Sequence, residues 1–562
     1  MSADMEYPNA TIFEIIKKNA EMFPARLALE FMDKTMTYKD FLIKIESIAA
    51  SLYKIGIRKG DRVALCLPNC PQAALSIYAL NRIGAVAVVI NPLSPALDIF
   101  QRLNEAVCMG IVVLNLILPK LNAAYSTCPT LKFIVSANIF REMPLKHSIG
   151  MRLLALSRSI KAVFSNNKLR PVKWEKLYKN VESIPPSSLT TPDDAAVIIF
   201  SGGTSGKPKG AVYSSFSMNA AILQALATEP PIEDDMSMLA ILPFFHIFGL
   251  TVSIHMAFAA AGKCILVPRF NPDNIARLMI KKKPTYMAGV PTIFEGILKS
   301  RLLEKALKKQ KLDMSGFRLA FCGGDKLSEK TYRQFNDIIK NSRGSGLIVE
   351  GYGLTESCPV TVMPRSECRK GSLGKPFPGV TICVVNPGTT REVPPETEGE
   401  ICVSTPAMMT EYLNSPEETA NVLKIHHDGK TWLHTGDIGV VDKDGFLFYH
   451  DRLRRLIKVS GYSVFANHVE EVLQSHPAVY KACVIGILDE YTVRKIKAYI
   501  VLRHKVNQSK IRQDLIAYCR SRLTPWSVPS IVEFRGKIPM NLIGKVSWGF
   551  LEEESIYNAK KI

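Results

Sequence analysis

Short apolar runs rich in β-branched residues recur along most of the chain and alternate with stretches whose apolar positions have helical spacing. They read RVALCL, GAVAVVI, AAVIIF, LAILPF, RLAFC and LIVEGYG, at residues 62–67, 84–90, 195–200, 239–244, 318–322 and 347–353. Apolar runs of this length fit buried strands. Because the strands alternate with helices, the pattern predicts an α/β fold with substantial parallel sheet.

Two regions of the C-terminal half depart from this alternation. From Val380 to Val403, two apolar runs flank the polar connection NPGTTREVPPETEGE, which predicts an antiparallel strand–turn–strand module. Beyond the charged segment Arg452–Arg455, the periodicity changes again. We therefore predict two domains, residues 1–453 and residues 454–562.

The second predicted domain has a compact mixture of helical and strand patterns. Helical periodicity covers VEEVLQSHPAVY and IRQDLIAYCRSRL, at residues 469–480 and 511–523. Strand patterns cover ACVIGI and IKAYIVL, at residues 482–487 and 496–502. These elements predict a small α+β unit.

Length and composition agree with a multidomain globular protein. A chain of 562 residues exceeds what one hydrophobic core usually supports, and 47% hydrophobic with 22% charged residues is typical of globular proteins. No apolar run of about 18 residues and no signal-peptide pattern occurs, which predicts a cytoplasmic protein. The 12 cysteines form no CxxC pair and no zinc-finger spacing, which predicts buried free thiols.

The formal net charge of +20 fits a nucleic acid, a membrane surface or small anionic substrates as partners. No RNA-binding or zinc-finger pattern accompanies it, so we expect no nucleic-acid partner. Residues 141–179 contain ten Lys or Arg and two Glu. Within them, Met151–Phe164 mixes leucine and basic residues at roughly helical spacing. This pattern fits a helix lying on an anionic bilayer, or a core-packed helix with a solvated basic face.

A glycine-rich loop, SGGTSGKPKG, follows the run AAVIIF and spans Ser201–Gly210. Its glycines permit tight turns and close approach of backbone N–H groups to an anion, while its hydroxyl and lysine side chains add donors. It is not a Walker A loop, because Ser201 stands at the first glycine position and Pro208 follows Lys207. We interpret it as a polyphosphate loop; the alternative is an ordinary flexible loop.

Five further motifs follow this loop along the chain. They read LPFFHIFG, GYGLTE, WLHTGD, DRLRRLIKVSGYSV and IPMNLIGKVSW, at residues 242–249, 351–356, 432–437, 451–464 and 538–548. In this order and at these distances, the six motifs resemble those of the adenylate-forming superfamily, and the whole chain resembles its acyl-CoA synthetases. The resemblance implies a large N-terminal domain of two α/β lobes plus a distorted β-barrel, and a small mobile α+β C-terminal domain.

The reaction that the resemblance implies has two steps. A carboxylate attacks the α-phosphate of ATP to give acyl-AMP and pyrophosphate, and the CoA thiol then displaces AMP to form a thioester. ATP and CoA would be co-substrates, and Mg²⁺ the cofactor. Apolar walls in VPTIFEGIL and PFFHIFG, without an evident Arg or Lys for a second carboxylate, favour a medium- to long-chain fatty acid. An aryl acid is the alternative.

The resemblance also implies which residues bind the nucleotide. The glycine loop would hold the β- and γ-phosphates, CGGDKL would form the adenine wall, and WLHTGD with DR would bind the ribose and phosphates. Many relatives carry Ala-Pro where this chain has Asp325-Lys326, so only backbone contacts are expected there. The implied residues are Ser201, Gly202, Gly203, Thr204, Ser205, Gly206, Lys209, Gly323, Gly324, Tyr352, Asp437 and Arg452. For the last two, a purely structural ion pair is the alternative.

Three residues carry the implied catalytic roles. Thr355 would donate to the α-phosphate, and Glu356 would be the Mg²⁺ ligand, a hard oxygen donor for a hard cation. Lys545 would face the carboxylate and the α-phosphate as negative charge builds up during adenylation.

The remaining implied roles concern the second half-reaction. Arg454 occupies the hinge position, where relatives usually have Lys or Asp. Lys458 and Gly461 would lie on the face that forms the thioester, and His246 beside the acyl chain and the pantetheine tunnel. For His246, a histidine satisfied within the core is the alternative reading.

Two other function classes fit parts of the sequence. An acyl-AMP ligase that loads a carrier protein would need a separate carrier chain, because nothing after Lys545 resembles a carrier domain. A non-enzymatic acyl or nucleotide sensor would need no catalytic lysine, so the intact motifs argue against it. The sequence defines no oligomeric state.

Overall fold

The structure is a computed structural model of the 562-residue chain. The residues that it describes are 5–121, 127–142, 171–178, 190–201, 208–227, 236–364, 367, 369–459, 462–489, 493–504, 507–540 and 546–559.

The strands of the described residues are numbered β1 to β27 in chain order. Those of the first two sheets and their connections are β1 (Leu27–Phe31), β2 (Lys34–Thr37), β3 (Arg62–Cys66), β4 (Val86–Val89), β5 (Gly110–Leu114), β6 (Phe133–Ala137), β7 (Val172–Lys173), β8 (Ala195–Phe200), β9 (Gly210–Ser214), β10 (Ser237–Ala240), β11 (Lys263–Leu266), β12 (Tyr286–Gly289), β13 (Leu319–Cys322), β14 (Leu347–Leu354), β15 (Cys358–Val362) and β16 (Lys375–Pro376). The later strands are β17 (Thr381–Val385), β18 (Gly399–Ser404), β19 (Glu411–Tyr412), β20 (Leu423–Ile425), β21 (Thr431–Val441), β22 (Leu447–Arg452), β23 (Leu456–Val459), β24 (Tyr462–Phe465), β25 (Val479–Asp489), β26 (Val493–Leu502) and β27 (Ile531–Phe534).

Helices lie between most of these strands. The α-helices of the described residues are Ile12–Met22, Tyr38–Ile55, Pro71–Arg82, Ala96–Glu105, Leu118–Leu121, Ser215–Leu226, Met256–Ala259, Pro272–Lys282, Pro291–Leu298, Arg301–Lys308, Glu329–Asn341, Pro416–Val422, Ala466–Ser475, Gln508–Arg520 and Trp548–Ala559. A π-helical segment, Gly249–His255, precedes Met256–Ala259. Across the described part of the chain, no helix has both the length and the apolar character needed to cross a bilayer.

The first lobe is built on a sheet in the order β19-β9-β8-β4-β3-β5-β6-β7. Its six strands β3 to β8 pair in parallel, and β9 and β19 add antiparallel strands at one edge. The run AAVIIF forms β8 as predicted and is buried after its first residue. Its carboxyl end leads directly to the glycine-rich loop.

The second lobe is built on a sheet in the order β16-β15-β14-β13-β12-β10-β11-β1-β2. The strands from β14 to β1 are parallel, whereas β15, β16 and β2 pair in antiparallel fashion. The predicted runs LAILPF, RLAFC and LIVEGYG contribute β10, β13 and β14. One hydrophobic cluster joins the helices of both lobes and includes Phe13, Phe41, Tyr78 and Phe258. The α/β class and parallel sheets predicted from the sequence are therefore confirmed.

The antiparallel module predicted between Val380 and Val403 is also present. It forms part of a five-stranded sheet in the order β17-β18-β21-β20, with β22 paired to β21. In this sheet, β17 and β18 are the predicted strand–turn–strand unit and pair in antiparallel fashion.

The C-terminal part has its own core. The β23-β24 hairpin and the sheet β25-β26-β27 pack with two helices around buried apolar residues that include Val469, Leu473, Val484 and Leu515. The predicted division at residue 453 falls within a 3₁₀ turn, Leu453–Arg455. The domain limits themselves stay a prediction.

The predicted helical segment 469–480 is wrong at its end. The helix runs from Ala466 to Ser475, and β25 already begins at Val479. Pro477 explains the difference, because a proline disfavours helical geometry at the residue before it. The second helix begins at Gln508, three residues earlier than predicted, since the Asn507 side chain caps it by accepting backbone N–H bonds.

Candidate active site

Both lobes, the five-stranded sheet and the C-terminal part border one large cleft of about 2460 Å³. The residues predicted from the sequence that line it are Ser201, Lys209, His246, Gly323, Gly324, Tyr352, Thr355, Glu356, Asp437, Arg452 and Arg454. Lys458 is exposed on β23 and is not among the lining residues. The predicted residues Gly202, Gly203, Thr204, Ser205, Gly206, Gly461 and Lys545 lie outside the described residues.

The two ends of the glycine-rich loop are fastened to each other. The Ser201 N–H donates to the Lys209 carbonyl at 2.8 Å, and the Lys209 N–H donates to Ser201 Oγ at 3.3 Å. These bonds join the two described ends of the loop where β8 meets β9. The Lys209 ammonium pairs with Glu418, on the helix Pro416–Val422, and lies 5.0 Å from the ring centroid of Tyr412. An incoming phosphate would therefore compete with Glu418 for this lysine.

A buried carboxylate forms the centre of the predicted ribose site. Asp437 and Arg452 are register partners in β21 and β22, and Arg452 Nε lies 3.0 Å from Asp437 Oδ1. The Tyr352 hydroxyl donates to Asp437 Oδ2 at 2.6 Å. Burial, and then the Asp437 carboxylate, raises the pKa of Tyr352 well above its usual range, so the phenol keeps the proton that it donates. The ion pair offered as an alternative in the sequence is thus present, and both partners face the cleft.

The backbone of the motif WLHTGD also has a specific geometry. Gly436 has φ of +68°, in the left-handed region that favours glycine. Its N–H donates to Glu400 Oε1 at 3.1 Å, and the Asp437 N–H donates to Thr435 Oγ1 at 3.1 Å. These bonds hold the turn that presents the Asp437 side chain.

Two tyrosines that the sequence analysis did not identify position the catalytic candidates of GYGLTE. The Tyr412 hydroxyl donates to Glu356 Oε1 at 2.8 Å, and the Tyr213 hydroxyl donates to the Thr355 carbonyl. Burial is the main cause that raises the pKa of both phenols. Both are on the antiparallel edge strands β9 and β19 of the first lobe. The edge of the first lobe therefore holds Thr355 and Glu356, which follow β14 of the second lobe.

Glu356 can serve as a ligand for a hard cation. Its carboxylate lines the cleft and is oriented by Tyr412, and the end of the glycine-rich loop lies against the same tyrosine through Lys209. An oriented carboxylate beside the predicted phosphate loop fits the preference of Mg²⁺ for carboxylate and phosphate oxygens.

The motif PFFHIFG forms a tight turn that places His246 at the cleft. His246 Nδ1 accepts the Phe248 N–H at 3.3 Å, and the ring is half-buried. A Cβ at Gly249 would lie 2.1 Å from the Pro243 carbonyl oxygen, so the turn requires glycine there. Ile247, Phe248 and Val252 line the cleft beside His246. The histidine therefore borders an apolar wall, and its place beside an acyl chain and a pantetheine tunnel stays a prediction.

A charged network secures the junction at the predicted hinge. Arg454 is exposed, whereas its neighbour Arg455 is mostly buried and hydrogen-bonds Asn467 Oδ1 at 2.6 Å and Glu470. Asp451 is buried and accepts the Asn467 N–H at 2.8 Å. Burial raises the pKa of Asp451, which Arg455 opposes. Arg454, which the sequence predicts to be the hinge residue, is therefore a solvent-exposed residue of the turn Leu453–Arg455.

Comparison with protein families identifies the chain. The family profile described as AMP-binding enzyme matches residues 16–413, and the profile described as AMP-binding enzyme C-terminal domain matches residues 468–545.

Named relatives match over nearly the full length. The long-chain-fatty-acid–CoA ligase of Bacillus subtilis (strain 168) is 32% identical over 565 residues, covering 99% of this chain and 96% of that protein. The 4-coumarate–CoA ligase 4 of Arabidopsis thaliana is 28% identical over 523 residues, covering 91% and 85% of the two chains.

Solved structures share the architecture. The anthranilate CoA ligase AuaEII in complex with anthranoyl-AMP superposes with a TM-score of 0.81 at 21% identity, covering 100% of both chains. The Mycobacterium tuberculosis fatty acyl CoA synthetase superposes with a TM-score of 0.69 at 26% identity, covering 97% and 98% of the two chains. The chain therefore belongs to the AMP-binding enzyme family and is an adenylate-forming, AMP-releasing acid–CoA ligase.

Proposed function

We propose that this enzyme activates medium- to long-chain fatty acids through acyl-AMP to acyl-CoA, with release of AMP and pyrophosphate. The observation that carries the proposal is the composition of the cleft. The nucleotide candidates Tyr352 and Asp437 share it with the apolar side chains of Ile247, Phe248 and Val252. A hydrocarbon chain buried on such a wall gains about 0.8 kcal/mol per methylene, so the wall favours long acids.

In this proposal, ATP is held by contacts that the cleft already presents. The Asp437 carboxylate accepts hydrogen bonds from the ribose hydroxyls, and the Tyr352 hydroxyl orients that carboxylate. Arg452 supplies a forked cationic donor for the ribose and the phosphates. Gly324 has φ of +85°, and a Cβ at Gly323 would approach the Gly351 carbonyl oxygen to 3.3 Å. The absence of side chains there leaves backbone groups to face the adenine.

Both the glycine-rich loop and the residues that follow β14 would bind the phosphates of ATP. Lys209 exchanges Glu418 for a phosphate, and Thr355 donates to the α-phosphate. Glu356, oriented by Tyr412, would hold Mg²⁺. When bound, the ion would neutralise phosphate charge. In the first step the acid oxygen forms a bond to the α-phosphorus as the bond to pyrophosphate breaks, and Lys545 would stabilise the charge on the transferring group.

A panel of acids tests the proposed specificity. AMP release from ATP and Mg²⁺ is measured with acids of increasing chain length and with benzoate and cinnamate, each with and without CoA. We expect CoA-dependent turnover that peaks on a medium- or long-chain acid. A peak on an aryl acid would reject the fatty-acid assignment. AMP formation that stops after one equivalent despite CoA would indicate a carrier protein as the acceptor.

We further propose that the basic segment 141–179 brings the enzyme to anionic membranes, where fatty acids partition. Residues 143–170 and 179 lie outside the described residues, so the support comes from the sequence, with ten Lys or Arg in this segment against two Glu. Liposome co-sedimentation tests it. Binding should fall with salt and disappear when Arg152, Arg158 and Lys161 are neutralised, whereas absence of binding at low salt would contradict it.

A further inference from the structure

The strand that carries Asp437 also carries one member of a buried cluster of metal-ligating side chains. Cys402 lies in β18, His434 in β21, and His426 directly follows β20. All three are buried, and one ligand atom from each lies within 4.8 Å of the others. Because three separate strands bring them together, no short spacing in the sequence reveals the cluster.

His434 is already held as a metal-ligating histidine would be. Its Nδ1 lies 3.1 Å from Glu400 Oε2, and both side chains are buried. A carboxylate only accepts hydrogen bonds, so the imidazole proton is on Nδ1 and Nε2 presents its lone pair. A carboxylate that orients a histidine in this way is the usual outer partner of a zinc ligand.

His426 is the second imidazole of the cluster. Its Nδ1 is buried without a hydrogen-bond partner among the described residues, and the side chain is 4% exposed. Its Nε2 lies 3.0 Å from His434 Nε2. Two nitrogen ligands of a tetrahedral zinc ion are about 3.3 Å apart, so a small opening of this contact suffices. The ring is fixed by stacking on Trp432, with centroids 5.2 Å apart and planes 17° apart.

A second thiol borders the cluster. Cys383 in β17 is the register partner of Cys402, and neither forms a disulfide. Cys383 also lies with Glu392 and His426 in an overlapping set whose ligand atoms are within 4.8 Å of one another. Cys402, His426 and His434 themselves supply one thiol and two imidazoles, which are donors that favour Zn²⁺.

We propose that Cys402, His426 and His434 bind one Zn²⁺ ion. The Cys402 thiol loses its proton to solvent and becomes a thiolate ligand. His426 moves its proton from Nε2 to Nδ1, and the Glu392 carboxylate that lies beside this histidine is an acceptor for it. The ion joins β18, β21 and the turn after β20.

The site is linked to the turn that presents Asp437. Glu400 accepts from His434 through one oxygen and from the Gly436 N–H through the other, at 3.1 Å in each case. Metal binding therefore fixes the residue before Asp437. This link to nucleotide binding rests on the proposed function, whereas the metal site itself does not.

Metal analysis of the full-length enzyme, with any histidine tag removed, tests the site. The chelator-treated protein is titrated with Zn²⁺ or Co²⁺, and the bound metal is measured by elemental analysis and absorption spectroscopy. We expect one ion per chain. The Co²⁺ form should show intense tetrahedral d–d bands and a thiolate-to-cobalt band, both removed by Zn²⁺. Zinc should also raise the apparent Tm by preferential binding to the folded state.

Matched variants separate the site from adventitious binding. His426→Gln and Cys402→Ala should lose the ion. The controls His427→Gln, at the exposed neighbouring histidine, and Cys519→Ala, at a buried cysteine of the C-terminal core, should retain it.

Zinc that persists in His426→Gln, or a Cys383–Cys402 disulfide in the protein as purified, would overturn the proposal. If the variants do not fold, a wild-type Co²⁺ spectrum without the thiolate band overturns it. Activity on the acid panel is scored separately, so failure of either proposal is distinguishable.

Discussion

Among single residues, Asp437 is the buried carboxylate of the proposed nucleotide site. Its side chain is 1% exposed, yet Arg452 and Tyr352 contact different carboxylate oxygens and both line the cleft. A buried charge is tolerated only when it is paired and hydrogen-bonded. The arrangement therefore keeps an ionised acceptor in a protected position, where a ribose would find it preoriented.

Replacing Asp437 by Asn should weaken ATP binding selectively. Hydrogen bonds to a charged group contribute about 1.5–3 kcal/mol, so we expect kcat/KM for ATP to fall about 10- to 100-fold, with a smaller change in KM for the acid. Asp444→Asn is the control, because Asp444 is exposed and pairs with Arg369 at the surface. An unchanged KM for ATP in a folded Asp437→Asn protein would leave only a structural role for the ion pair.

Lys545→Ala should separate the two half-reactions. If this lysine stabilises the charge of adenylation, its loss should slow acyl-AMP formation by about 10²–10³-fold. Conversion of supplied acyl-AMP with CoA should continue at the wild-type rate. Rapid-quench assays of each step measure this, with Lys510→Ala on the helix Gln508–Arg520 as a surface control. Equal losses in both steps would remove Lys545 from its assigned role.

The sequence predicted the charged residues of the site and Tyr352, but not the two tyrosines that contact GYGLTE. Each of Asp437, Arg452 and Glu356 belongs to a continuous sequence motif, so the sequence alone can identify it. Tyr213 and Tyr412 reach GYGLTE only because β9 and β19 lie beside the second lobe. Their hydroxyl contacts join residues that are 142 and 56 positions apart, which no local pattern encodes.

At the scale of elements, the turn of PFFHIFG depends on one glycine. Gly249→Ala would place a Cβ 2.1 Å from the Pro243 carbonyl oxygen, so the backbone must shift. Overpacking of this kind costs about 1–3 kcal/mol, and we expect a lower apparent Tm and a higher KM for long acids. Gly316→Ala is the control, because a Cβ there meets nothing within 4 Å. Equal Tm values for the two variants would show that the turn can relax.

The turn Leu453–Arg455 is the element on which a domain rotation would depend. Arg454→Pro fixes φ and restricts the preceding residue, so it should hinder rotation while leaving the cleft residues in place. We expect near-normal adenylation and slow thioester formation, by single-turnover assays of each step. Arg454→Ala, which keeps backbone freedom, should be close to wild type. Normal CoA kinetics in the proline variant would contradict the hinge assignment.

Elements that bury continuous apolar runs were predictable, whereas their ends depended on single residues. The strand β8 coincides with AAVIIF because a buried parallel strand needs apolar side chains on both faces. The helix Ala466–Ser475 ends earlier than its periodicity suggests, since Pro477 interrupts a pattern that hydrophobic spacing alone would extend.

At the scale of the whole molecule, one exposed ion pair joins the second lobe to the C-terminal part across the cleft. Lys326 Nζ of the second lobe lies 2.6 Å from Glu471 Oε1 of the C-terminal part, and both side chains are more than half exposed. Exposed pairs contribute about 0–1 kcal/mol, so this contact would oppose rotation of the small domain only slightly.

Composition and periodicity predicted the α/β class. The arrangement of two lobes and a barrel came from the resemblance, because strand order follows from long-range pairing.

A rapid-quench experiment with ATP labelled at the α-phosphate tests the central claim most directly. The full-length enzyme is mixed with Mg²⁺, labelled ATP and the preferred fatty acid, first without CoA and then with it. The account predicts that labelled acyl-AMP accumulates without CoA to one equivalent per active site. On addition of CoA it should disappear as acyl-CoA and labelled AMP form at matching rates. Formation of ADP, or acyl-CoA formed without acyl-AMP as an intermediate, would contradict the account.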